Sequence, residues 1–128
     1  YYSEIGLGID FTARDIQNEC KKKGLPWEKA KGFDGSAQIS KEFINKSKLD
    51  LEDIQFELKK NNKTIQIGNS KNMIFSFDTI ISYVSKFYTL KIGDLIYTGT
   101  PSGVGKVVVN DTLTGYIGSK EMFNVSIK

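Results

Sequence analysis

Histidine is absent from this 128-residue chain, and arginine occurs once among 18 Lys plus Arg. Without imidazole, any catalysis residing here falls to carboxylates, lysine, tyrosine, hydroxyls and backbone dipoles. Such a set suits hard, oxygen-seeking cations such as Mg²⁺ and does not suit zinc. Cysteine is nearly missing too. The single Cys20 cannot close an internal disulfide, which agrees with a reducing compartment, and its expected place is that of a small, partly buried apolar residue. No run approaches the roughly 18 apolar residues of a membrane span, and no secretory-signal pattern opens the chain, so the expected compartment is the cytoplasm. The net charge of +3 is scattered, with only Lys21 to Lys23 forming a short run. That footprint is too weak for nucleic acid, and neither nucleic acid nor membrane is an expected partner.

What is present suffices for one packed domain, with 39% hydrophobic and 12% aromatic residues. The opening YYSEIGLGID has no initiator methionine and already alternates like a half-buried strand at Ile5, Leu7 and Ile9. It predicts that an N-terminal part precedes residue 1. The strand from about Glu4 is expected to end near Asp10. Thr12, with Asp15 three residues on, then reads as a capping box for a helix to about Lys23, closed by Gly24 and Pro26. A short turn or helical piece is expected at Trp27 to Lys31, and a short strand around Ala37 to Ile39. Ile54, Phe56 and Leu58 alternate with polar residues, KNNK turns the chain, and Thr64 to Ile67 return it as a hairpin. Ser76 caps a second helix with Ile80, Ile81, Val84 and Phe87 on one face. Leu95 to Thr98 reads as a buried strand and GTPSGVG as a loop; Lys106 to Val109, Leu113 to Ile117 and Met122 to Ile127 read as further strands. The expected class is mainly β with a few helices (α+β), in a single unit.

The lone arginine stands in GIDFTARDIQ. With a helix starting after Thr12, Arg14 and Gln17 share one helical face, and Asp10 lies just before them at the strand's end. Arg14, Gln17 and the helix N-terminus would suit an oxyanion, and a cation held by Asp10 would reconcile that carboxylate with the anion. The alternative is a structural ion pair of Arg14 with Asp10 or Asp15. Lys31, before Gly32, is a candidate charge-neutralising ammonium, one of 17 lysines competing for that role. Thr98 to Lys106 resembles a phosphate loop only superficially. Position 100 is threonine where the first glycine should be, and Val107 stands where Ser or Thr should meet magnesium. A loop that brings its backbone and the Thr100 hydroxyl to a small ligand competes there with a simple tight turn.

Taken together, GIDFTARDIQNECKKKGLPWEKAKGFDGS and MIFSFDTIISYVSKFYTLKIGDLIYTGTPSGVG resemble the fumarylacetoacetate hydrolase superfamily, most of all its acylpyruvase and oxaloacetate decarboxylase branch. The resemblance covers nearly the whole chain. It implies a mixed β-sandwich or β-roll fold, usually dimeric, of the type found in the C-terminal domain of that family. It also implies Mg²⁺ or Mn²⁺ held by three carboxylates, with Asp10 matching the third and the other two coming from an upstream pair without a match here. Arg14 and Gln17 match the residues that contact a small 2-oxo acid substrate. Lys31 matches the site lysine, and Thr100 the threonine of the glycine-rich loop. A water-activating His and Glu pair of the family's acylpyruvases has no match either. The implied activity is cleavage of an acylpyruvate to a carboxylate and pyruvate, or decarboxylation of oxaloacetate, through an enolate that Lys31 helps stabilise. A related isomerase or dehydratase, or a non-catalytic binding homologue, are the alternatives.

Overall fold

A computed structural model describes residues 1–128. Eight strands and three short α-helices follow in the order β1 (Glu4–Ile5), β2 (Gly8–Asp10), α1 (Arg14–Lys23), α2 (Glu28–Lys31), β3 (Ala37–Ile39), β4 (Ile44–Asn45), β5 (Gln55–Lys60), β6 (Lys63–Asn69), α3 (Phe77–Val84), β7 (Thr112–Ile117) and β8 (Lys120–Ser126). The last four strands form one antiparallel sheet in the order β6-β5-β7-β8, while β1 pairs with β4 and β2 with β3 in two short antiparallel ladders. Strands dominate, as the patterning predicts.

The β5–β6 hairpin turns through Asn61 (φ 51°) and Asn62 (φ 65°). Two consecutive left-handed residues are what a two-residue primed turn requires, and asparagine tolerates that region better than most side chains. The core sits on one face of this sheet. Ile54, Ile117, Met122 and Phe123 are buried together, and Leu7, Ile9, Phe56, Leu58 and Phe77 pack around them. Each fully buried side chain of this size stabilises by about 2 kcal/mol.

Several local expectations are corrected. The stretch Glu4 to Asp10 is two strands rather than one, because β1 and β2 pair with different partners. The helix α1 begins after Ala13 with no side-chain cap, so the Thr12 and Asp15 capping box does not form. Thr12 Oγ1 instead accepts a hydrogen bond from Lys31 Nζ. Phe87 lies beyond the end of α3, which is capped by Ser76 as expected but buries none of its residues. Leu95 to Thr98 is not a buried strand: no strand pairs with it, and Leu95 is 52% exposed. Lys106 to Val109 is not a strand either. Asp111 Oδ2 accepts from Val108 N–H while Asp111 N–H donates to Val108 O, and this reciprocal turn bends the chain away from extended geometry.

Candidate functional site

Two connections converge at the end of the β2–β3 ladder. Asp10 is opposite Ala37 in register, and Phe11 N–H donates to Ser36 O (2.8 Å), so the chain leaves the ladder in a fixed direction. Ala13 N–H then donates to Ala30 O (3.0 Å), and Ala30 is fully buried. This backbone bond sets the start of α1 against α2 and carries Lys31, the last residue of α2, back to the strand end.

There Lys31 Nζ donates to Asp10 Oδ2 (2.7 Å) and to Thr12 Oγ1 (2.8 Å). An ammonium has three N–H donors, so one is left over. Both members of the Lys31–Asp10 pair are a little more than one-third exposed, an environment that weakens the pair as a stabilising element and leaves it accessible to a ligand. On the neighbouring helix, Arg14 Nη1 donates to Gln17 Oε1 (2.7 Å). Gln17 is 4% exposed, which holds the guanidinium at one end while its remaining donors stay available. Arg14 forms no ion pair with Asp10 or Asp15; the structural ion pair weighed from the sequence is replaced by this amide contact.

Asp10, Thr12, Arg14, Lys31 and Thr100 all line a single open cleft of about 1240 Å³, whose other walls include Ile9, Phe56, Phe77, Tyr97 and Val104. Gln17 does not reach it; its part is to brace Arg14. The structure thus brings together four of the five residues singled out from the sequence and places the fifth behind one of them.

Two residues of the cleft escape the sequence reading. Thr12 is hidden because Thr followed by Asp three residues on looks like a helix cap, when its hydroxyl serves a lysine 19 residues away. Tyr97 is hidden because Leu95 to Thr98 looks like a strand. Its hydroxyl donates to Gln38 O (2.8 Å), and its ring lies so close to Gly8 that a Cβ there would fall 2.7 Å from Cε1. Burial, and secondarily the negative charge of Asp10, push the Tyr97 phenol above its usual pKa and keep it a neutral donor.

No group of three or more His, Cys, Asp or Glu side chains in the chain could hold a metal ion. Asp10, the one matched carboxylate, is occupied by Lys31. The residues present therefore do not by themselves fit a divalent cation, which needs several converging oxygens.

Residues 5–128 match the family model described as fumarylacetoacetate (FAA) hydrolase C-terminal. Oxaloacetate tautomerase FAHD1, mitochondrial, of Homo sapiens is 50% identical over 114 residues, covering 88% of this chain and 51% of the relative. Oxaloacetate tautomerase YcgM of Escherichia coli is 43% identical over 111 residues, covering 85% and 50%. The chain spans about half the length of these curated relatives. Among solved structures, fumarylpyruvate hydrolase from Pseudomonas aeruginosa, in complex with Mn²⁺ and pyruvate, superposes with a TM-score of 0.87 at 33% identity, covering 97% of this chain and 53% of that one. The family match spans nearly the whole chain, cleft included, and the chain belongs to the fumarylacetoacetate hydrolase family.

Proposed function

We propose that this chain forms the substrate-binding part of an enzyme acting on small 2-oxo acids of the oxaloacetate and acylpyruvate class through their enol or enolate forms. The observation that carries this reading is the Lys31 ammonium, held by Asp10 and Thr12 with one donor to spare, in the same cleft as a braced Arg14. A 2-oxo acid presents a carboxylate and an adjacent carbonyl oxygen. The planar fork of Arg14 suits the carboxylate, and Lys31 suits the oxygen that becomes negative when the C3 carbon loses a proton or a substituent. Gln17 orients Arg14, and the Thr100 hydroxyl supplies a further polar contact from the loop. The divalent cation implied by the family resemblance, Mg²⁺ or Mn²⁺, has one candidate ligand here, Asp10, and no step is assigned to it.

Decarboxylation and C–C hydrolysis each break a C–C bond at C3 and release a pyruvate enolate, whereas tautomerisation moves only a proton through the enolate of the intact acid; the three differ in how the enolate is formed. The names of the oxaloacetate tautomerase relatives favour proton transfer on oxaloacetate. The similarity to fumarylpyruvate hydrolase favours the second reading, cleavage of an acylpyruvate. A homodimeric state belongs to the same proposal, supported by exposed apolar side chains such as Ile74, Phe75, Phe87 and Tyr88. So does a cytoplasmic location, although the human relative is named mitochondrial; no helix of the chain is long and apolar enough to cross a membrane.

The test uses the whole protein with oxaloacetate and with acetylpyruvate. Enol-to-keto conversion is followed by ultraviolet absorbance and pyruvate release by a coupled assay, each before and after chelation and readdition of Mg²⁺ or Mn²⁺. Accelerated conversion of oxaloacetate without pyruvate supports the tautomerase form. Pyruvate from acetylpyruvate supports the hydrolase form, and pyruvate from oxaloacetate supports decarboxylation. A folded protein inert in all of these assays contradicts the reading.

A further inference from the structure

The thirteen residues from Leu95 to Val107 make no backbone–backbone hydrogen bond at all. They nonetheless form much of one wall of the cleft, including Thr98, Gly99 and Thr100. Three side chains and one close approach tie this segment to the rest of the fold. Tyr97 Oη donates to Gln38 O on β3 (2.8 Å), Gln66 Nε2 on β6 donates to Pro101 O (3.1 Å), and Lys60 Nζ on β5 donates to Lys106 O (3.0 Å). Gly103, at φ 99°, lies so near β6 that a Cβ would sit 2.5 Å from Ile65 O.

The first two bonds bracket Thr100 on either side. We infer that Tyr97 and Gln66 are positioning residues, which hold the glycine-rich loop and the Thr100 hydroxyl in place on the wall of the cleft that takes the ligand. The inference deepens the 2-oxo acid reading and rests on it for its ligand. Its physical basis is that a loop without its own hydrogen-bond ladder gets its conformation from whatever holds its ends. A hydroxyl carried on such a loop is only as well placed as those anchors. Tyr97 has a second role in the same direction, because its ring packs on Gly8, two residues before Asp10, and so couples the loop to the strand that carries Asp10.

The test compares Tyr97→Phe and Gln66→Leu in the whole protein, each alone and in a Thr100→Ala background, with melting temperatures recorded alongside. Losing one such hydrogen bond is expected to raise KM for oxaloacetate by roughly fivefold, with kcat changed less than about twofold. The decisive readout is non-additivity: once Thr100 is alanine, neither further change raises KM. An unaltered KM, or an increase of the same size in both backgrounds, overturns the inference. Should the wild-type protein turn over no 2-oxo acid, the functional reading fails on its own and the tethers are judged by limited proteolysis with a broad-specificity protease. Faster cleavage within residues 98–105 in both variants, with β5 to β8 uncut, upholds them, and unchanged cleavage in the loop overturns them.

Discussion

The four-stranded sheet and the cleft are built on opposite terms. In the sheet, β5, β6, β7 and β8 are six or seven residues long and joined by antiparallel ladders of five or six residue pairs, with register shifts at Leu58/Lys59 and Gly115/Tyr116, and Leu113, Ile117, Met122 and Phe123 are buried there. The sheet supplies part of the cleft wall, as at Phe56, but around the polar end of the cleft the strands are two or three residues long, and one wall has no backbone ladder. There the placement depends on particular side chains: Lys31 on Asp10 and Thr12, Gln17 on Arg14, Tyr97 on Gln38. Changes in the sheet should cost stability, and changes around the cleft should cost function while the fold persists.

Lys31→Ala should give the largest effect, and on function. Turnover of the preferred 2-oxo acid is expected to fall by on the order of a hundredfold or more, since a preorganised donor facing developing charge is removed. The melting temperature should hardly move, because the pair it breaks is well exposed. Steady-state kinetics beside a thermal melt checks both halves. Met122→Ala should do the reverse. Met122 is 5% exposed in β8 and does not line the cleft, and truncation there should cost about 3 kcal/mol of stability, read from the denaturant midpoint, with KM nearly unchanged while the protein stays folded.

Arg14→Lys sharpens the contrast inside the cleft. The charge is kept, but the planar fork and its fixed contact with Gln17 are lost, so KM should rise about tenfold with little change in melting temperature. The smallest effect concerns the turn before β7. The Val108 N–H, then the Asn61 amide, with help from Lys60, hold the Asp111 carboxyl below its usual pKa. A folded-state pKa that is depressed contributes stability above the unfolded value, near about 4, and loses it as pH falls through the folded value. Melting temperatures from pH 5 downward should therefore decline less steeply in Asp111→Asn than in the wild type, from a lower starting point.

The features legible in the sequence are those decided by neighbours along the chain. The Asn61-Asn62 turn, the Ser76 cap and the Gly24 stop of α1, left-handed at φ 64°, each follow from a residue's own conformational preferences. The misread features turn on partners far away. Whether Thr12 caps a helix or receives a lysine depends on the Ala13–Ala30 bond that brings α2 home, and no local pattern contains that bond. Leu95 to Thr98 has a strand's composition, yet a strand exists only where another backbone pairs with it. Arg14 stands out by its rarity alone, whereas Lys31, one of 17 lysines, becomes visible only through the family resemblance. Tyr97 gives no signal of its role until its hydroxyl is seen on Gln38 O.

The central claim is that an anionic 2-oxo acid sits between Arg14, Lys31 and the Thr100 loop. Hydrogen–deuterium exchange of the whole protein, with and without oxalate as a planar mimic of the pyruvate enolate, tests it most directly. The account predicts slower exchange on binding at residues 9–17, 28–32 and 97–103, with β5 to β8 unaffected. Oxalate binding that protects other surfaces and leaves these three segments unchanged would contradict it.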